Sequence, residues 1–132
     1  TPRRVVKHSG FWEHGRRMRF NKTMCPRFQA ALEVLGKRWT GLVVRALLDG
    51  PQRFSALTKT LEVVSERMLV ERLKELEAQG IVVRRAIPGS PHVEYALTEK
   101  GQGLGEVLAA VSRWATEWVE APPDERPRRA RA

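Results

Sequence analysis

At 132 residues, 42% of them hydrophobic, the sequence has the size and composition of one globular domain with a core of its own. No apolar run approaches a membrane span, no signal-peptide pattern opens the chain, and a single cysteine allows no internal disulfide, so a reducing cytoplasm is expected rather than a membrane or an oxidising compartment. The formal net charge of +9 sits mainly in the ends: residues 1–24 carry seven Lys or Arg against one acid, residues 121–132 four against two, and the body 25–120 thirteen against twelve. Basic ends either solubilise a protein or add salt-sensitive, sequence-independent affinity for a polyanion, usually nucleic acid.

Residues 1–23 form a basic extension without a clean period, with Phe11, Trp12, Met18 and Phe20 scattered among arginines and glycines. Such a stretch is either a flexible arm or a loose helix that docks on a partner subunit. Cys25-Pro26 opens the first clear helix, with Cys25 at the cap and Pro26 where a missing N–H costs nothing. Phe28, Ala31, Leu32 and Leu35 make its apolar face and Gly36 ends it. A second helix over 39–48 turns Trp39, Leu42, Val43, Ala46 and Leu47 inward, and Asp49-Gly50-Pro51 breaks it. Gln52-Arg53-Phe54 is a short extended piece, after which Ser55 caps a third helix running to Leu61.

The helix within 64–80 has both ends marked, by Ser65 as N-cap and Gly80 as left-handed stop. Leu69, Leu73 and Leu76 recur at i, i+4, i+7 and form a buried stripe. At about 100° per residue Arg67, Glu71 and Lys74 point the opposite way, with Met68 and Arg72 between the faces. The period then switches: 81–87 is β-branched and reads as a strand, Pro88-Gly89-Ser90-Pro91 as a turn, and 92–97 as a returning strand. Thr98 caps a final helix whose apolar positions are Leu104, Val107, Leu108, Val111, Trp114, Ala115 and Trp118. Gly101, Gly103 and Gly105 soften its start or allow close backbone contact. Pro122-Pro123 ends the domain and a basic tail of disordered composition follows. Two helices joined by a few residues and followed by a two-stranded wing give an α+β fold, the winged helix-turn-helix, with added terminal helices. In that arrangement the later helix of the pair enters the major groove and wing arginines reach the backbone or the minor groove.

Cys25-Pro26, Leu35-Gly36-Lys37-Arg38-Trp39, Leu48-Asp49-Gly50-Pro51-Gln52-Arg53-Phe54-Ser55, Ser65-Glu66-Arg67-Met68-Leu69, Arg72-Leu73-Lys74-Glu75-Leu76-Glu77, Gly80-Ile81-Val82 and Val93-Glu94-Tyr95-Ala96-Leu97-Thr98 resemble the HxlR-type family of bacterial winged-helix regulators. The likeness covers about residues 24–120, and only the extension 1–23 departs from it. Family members often begin near the cysteine, which makes Met18 and Met24 candidate starts. The resemblance implies a homodimeric transcriptional regulator, commonly a repressor that loses DNA affinity on a chemical signal. Helix 1 and the last helix would build the dimer, setting two recognition helices about 34 Å apart on a near-palindromic operator. Carried across residue by residue, Ser65, Arg67, Met68, Glu71 and Arg72 would read the groove, Arg53 and Ser55 would hold phosphate, and Arg84, Arg85 and His92 would belong to the wing. Arg67 and Arg72 suit guanine or phosphate, while Glu71 suits a cytosine amino group.

The quinone- and oxidant-sensing members that this chain resembles use the cysteine of the Cys-Pro pair as sensor. A helix N-terminus favours thiolate, and Lys22 and Arg27 are near in sequence, so Cys25 is the redox-sensing candidate; the alternative is a plain helix-start residue. Some sensors carry a second cysteine near the end of the last helix, where this chain has Trp118-Val119. A disulfide would therefore join Cys25 of two subunits or Cys25 and a small thiol.

Other chemistry finds little support. His8, His14 and His92 make no metal-ligand spacing with Cys25, Gly101-Gln102-Gly103 follows a threonine cap rather than a strand, and no nucleophile has a third group to orient it, so no cofactor, metal or enzymatic activity is expected. Trp114 and Trp118 line either a core, a dimer seam or a ligand pocket. Two other readings compete with a sequence-specific regulator: a nonspecific architectural DNA binder driven by the basic ends, and a winged-helix module that binds protein through Glu66, Glu71 and Glu75.

Overall fold

The computed structural model describes residues 25–121, and the chain falls into two units, residues 1–37 and 38–132. The basic extension 1–23, with His8 and His14, the tail beyond 121 and the side chain of Cys25 lie outside the described residues. The first unit holds helix α1, Cys25–Leu35, closed by the Gly36 N–H donating to Leu32 O at 2.7 Å. Phe28 and Leu32 of its expected apolar face are exposed.

In the second unit the order is α2 (Thr40–Leu47), β1 (Gln52–Arg53), α3 (Phe54–Thr60), α4 (Glu66–Ala78), β2 (Val82–Ala86), β3 (Val93–Leu97), α5 (Glu99–Gln102) and α6 (Leu104–Trp118). Helix α2 is the hub and packs against α3, α4, α6 and β3. Thr40, Val43, Val44, Ala46 and Leu47 are its buried residues, whereas Leu42 is exposed. The inward face is thus rotated from the expected one, toward Thr40 and Val44. Neighbours on several sides enclose this short helix, so a hydroxyl-bearing residue is taken into the interior and one leucine is left out. Trp39 precedes the helix, half-buried, with a left-handed φ of 74°.

Asp49-Gly50-Pro51 breaks the helix as expected, with Gly50 at φ 133°. The next residue reaches back, and Gln52 Nε2 donates to Ala46 O at 2.8 Å, satisfying a helix-end carbonyl. The extended piece proves to be a third strand. The sheet order is β1-β3-β2, antiparallel throughout, with Gln52 opposite Tyr95, Arg53 opposite Glu94, and Val82 to Ala86 opposite Leu97 to Val93. The hairpin tip turns at Gly89, φ 75°.

Helix α4 ends in a Schellman arrangement. The Gly80 N–H donates to Glu77 O at 3.0 Å and the Ile81 N–H to Leu76 O at 2.9 Å, while Leu76 and Ile81 are both buried. Gly80 has φ 76°, a conformation that costs a side-chain-bearing residue about 1–2 kcal/mol. The start of α5 is anchored on this same stop. Thr98 Oγ1 donates to Gly80 O at 2.6 Å and accepts from the Gly101 N–H at 3.1 Å, and Lys100 Nζ donates to Gln79 O at 2.6 Å. Gly101 lies so close to the Ile81 carbonyl that a Cβ there would strike it, and would sit 2.9 Å from Leu97 Cδ2.

The expected single C-terminal helix is interrupted at Gly103, which separates α5 from α6. No residue of α6 is buried, and Trp114 and Trp118 are 61% and 67% exposed. Gly101→Ala is expected to cost about 1–3 kcal/mol through overpacking, read as a lower denaturant midpoint. Gly41→Ala, with nothing within 4 Å of the added carbon, should be neutral or raise stability by about 0.4–1 kcal/mol.

Candidate nucleic-acid interface

Helices α3 and α4 are joined by residues 61–65, and the buried Leu61 and Val64 hold that turn to the body. Ser65 is the N-cap of α4 as expected, its Oγ accepting from the Met68 N–H at 3.1 Å. Glu66 in the first turn suits the positive end of the helix dipole. Leu69, Leu73 and Leu76 are buried, so the helix cannot roll without exposing three leucines, each contributing about 1.5–3 kcal/mol by burial. Arg67, Glu71 and Lys74 are consequently exposed on the far side, with Met68 at the margin.

Val70 is also exposed, on the flank of this face, next to Lys74 on the helical wheel and on the side away from Arg67. An outward valine flanked by polar side chains suits a thymine methyl in a major groove. Its signal was present in the sequence, as an apolar residue of the helix that, like Met68, falls outside the leucine stripe.

Arg72 is placed differently from the expectation that it reads bases. Its side chain is 13% exposed; Nε donates to Arg38 O at 2.8 Å and Nη1 pairs with Glu75 Oε1 at 2.9 Å. The guanidinium ties the helix to Arg38, two residues before α2, whose own guanidinium lies 4.5 Å from the Trp39 ring centroid. Position between the faces let Arg72 fold back onto the body, and a carbonyl 34 residues away in sequence decided it.

Ser55 is also corrected. The N-cap of α3 is Arg53, with φ −80° and ψ 160° and no side-chain cap. Arg53 is still paired with Glu94 in the sheet, so the strand runs directly into the helix and Ser55 falls one residue inside it. Arg53 and Ser55 are exposed and line a shallow open groove with Pro51, Gln52, Ala56, Lys59 and Glu94. Lys59 was not anticipated; the groove closes only when α3 lies beside β3.

On the wing Arg84, Arg85 and His92 are exposed, and Arg85 Nε donates to Glu94 Oε2 at 3.0 Å. The site therefore offers cations from three elements. Arg67 and Lys74 come from α4, Arg53 and Lys59 from the strand-helix corner, and Arg84 and Arg85 from the hairpin. Among the described residues no cluster of His, Cys, Asp or Glu is placed to hold a metal, and no helix is long and apolar enough to cross a membrane.

A capped helix with its polar side free, preceded by a short helix and followed by a hairpin, defines the winged helix-turn-helix class of DNA-binding proteins. The HxlR-like helix-turn-helix family matches residues 34–123, and the chain belongs to it. In Bacillus subtilis it is similar to the uncharacterised HTH-type transcriptional regulator YvaP, 51% identical over 98 residues covering 74% of this chain and 91% of YvaP. It is also similar to the HTH-type transcriptional regulator YodB, 48% identical over 99 residues covering 74% and 88%. Among solved structures the reduced form of YodB aligns with a TM-score of 0.68 at 46% identity, over 74% of this chain and 97% of that one. The redox regulator HypR in its oxidised form aligns with a TM-score of 0.66 at 34% identity, over 74% and 100%. YodB has also been solved quinone-bound and diamide-treated, and HypR in its reduced form. The chain is an HTH-type transcriptional regulator and not an enzyme.

Arg72→Ala should lower stability by about 1–2 kcal/mol through loss of hydrogen bonds to a carbonyl and a carboxylate, measured by denaturant unfolding. The outward Arg67→Ala should stay within about 0.5 kcal/mol of the parent.

Proposed function

We propose that the protein is a homodimeric, sequence-specific repressor acting in the cytoplasm, whose grip on a near-palindromic operator is released by an oxidant or electrophile at Cys25. The observation that carries the DNA part is the outer face of α4, where Arg67, Glu71 and Lys74 are exposed opposite a fixed leucine stripe and Val70 is exposed at the flank. Arg67 is assigned to guanine or phosphate, Glu71 to a cytosine amino group, and Ser65 and Met68 to the groove edge. Arg53, Ser55 and Lys59 are assigned to phosphate, and Arg84, Arg85 and His92 to the wing contact. Arg72 keeps the reading helix in place and does not read.

The dimer is supported by α6, whose Val107, Val111, Trp114 and Trp118 make an exposed apolar face that a second copy would cover; taken by itself, α1 also leaves Phe28 and Leu32 exposed. Residues 24–120 form the working domain on this reading, and the basic segments 1–23 and 121–132 add nonspecific affinity. The sensor part is supported by the place of Cys25 at the first turn of α1 and by the quinone-bound and oxidised forms of the relatives. A Cys25 thiolate adding to a quinone, or oxidised to a disulfide with the partner's Cys25 or a small thiol, would change the spacing of the two reading helices.

A duplex selected from a random pool by the protein, compared with a scrambled duplex across a salt series, tests the first part. A specific regulator keeps its preference at moderate salt; equal loss on both marks an architectural binder, and no binding a protein-interaction module. Arg67→Ala should cost about 1–3 kcal/mol on the selected duplex if Arg67 reads a base, and the same amount on both duplexes if it holds phosphate. For the sensor, a quinone or diamide should release the selected duplex from the parent and leave Cys25→Ser bound. Equal release from both removes Cys25 from the account.

A further inference from the structure

Arg53, Glu94 and Arg85 stand in one row across the sheet. β3 is the middle strand, and its Glu94 lies opposite Arg53 of β1 on one side and Arg85 of β2 on the other. Residues directly opposed on neighbouring strands have Cβ atoms about 4.5–5.5 Å apart and share a face. One carboxylate is thus set between two arginines that belong to the proposed phosphate contacts. Arg85 Nε donates to Glu94 Oε2 at 3.0 Å, and Glu94 is the one acid lining the groove of Arg53, Ser55 and Lys59. The carboxylate is the more enclosed partner, 26% exposed against 51% for Arg85.

A surface built only to gather phosphates has no use for a carboxylate in that row, because it repels the backbone and occupies a guanidinium. Resting on the DNA-binding reading above, we propose that Glu94 is a positioning residue for discrimination between operator and random DNA. Held through Nε, Arg85 keeps one orientation, and its remaining N–H donors serve one register of the duplex. Freed, it follows phosphates in any register. The half-exposed pair is weak enough for a correctly seated phosphate to share the guanidinium. A duplex docked at random has no base contacts on α4 to offset the carboxylate's repulsion.

The test is Glu94→Gln, which keeps shape and removes charge, on the selected and scrambled duplexes between about 50 and 200 mM salt. The variant should bind scrambled DNA more tightly than the parent and lose discrimination. Each arginine released should steepen the scrambled-DNA salt slope by about 0.9, so one per subunit in a bound dimer steepens it by about 1.8, roughly a tenfold further loss of affinity over that salt range. In an Arg85→Ala background the same substitution should change the slope by less, because the arginine it frees is absent. The proposal is overturned if Glu94→Gln matches the parent, if it weakens both duplexes alike, or if its effect is undiminished without Arg85. A parent that shows no preference between the duplexes overturns the sequence-specific reading itself, an outcome distinct from a discriminating parent matched by its variant.

Discussion

Everything on the reading side of this protein depends on one packing constraint, the burial of Leu69, Leu73 and Leu76 in the body. The stripe fixes the rotation of α4 about its axis, and a helix has only one opposite side. Helix α2 supplies much of the surface that receives it, and its own buried residues, Val43, Val44 and Leu47, are fully or nearly fully enclosed. Arg67, Val70, Glu71 and Lys74 are outward because three leucines are inward, with no separate device needed to present them. The capping serine and the glycine stop then set the length of the presented surface. Arg72 removes the remaining freedom by fastening the helix margin to the Arg38 carbonyl.

The second organising point is the glycine stop. Gly80 ends the reading helix, Ile81 starts the hairpin, and the hairpin returns to the same place so that Thr98, Lys100 and Gly101 all contact the carbonyls of residues 79–81 or lie against them. Reading helix, wing and the root of α5 are thereby joined within a few ångströms. A wing attached only by its strands would pivot on two backbone crossings. Here its base is held by side-chain and main-chain hydrogen bonds, and β1 pairs along the outer edge of β3. The wing arginines and the helix face therefore keep a stable mutual geometry, which a two-element readout of one duplex needs.

What could be read from the sequence was what the chain determines locally. The 3.6 period of the leucines, the Ser65 cap, the Gly80 stop and the alternation of the hairpin strands all depend on residues within a few positions of one another, and each element stands where its pattern put it. What could not be read was settled by distant partners. Thr40 and Val44 are inside because several elements converge on α2. Arg53 displaces Ser55 as the cap of α3 because it is still paired with Glu94, 41 residues on. Arg72 turned inward for a carbonyl at residue 38, and Lys59 joined a groove whose other wall is a strand far along the chain. The break at Gly103 lies between: the glycines were visible and Gly101 packs closely on Ile81, but the pattern alone did not tell a split helix from a softened one.

The charge distribution bears on how such a surface achieves selectivity. The body 25–120 is almost electrically neutral, thirteen cations against twelve acids, while the excess lies in the ends. The cations of that body gather on the candidate surface, as Arg53, Lys59, Arg67, Lys74, Arg84 and Arg85, and on the DNA-binding reading acids set among them, such as Glu71 and Glu94, would make poorly matched contacts unfavourable as well as merely absent. Basic ends supply attraction without asking for a sequence. On the dimeric reading the separation has a further consequence. A change at α1 need not touch any DNA-facing side chain to release the operator; it has only to shift the two reading helices from a spacing of about 34 Å. Attraction by the ends would survive that shift while base readout would not. A modified protein would then remain loosely associated with DNA and lose its address, a different state from one that has lost affinity altogether.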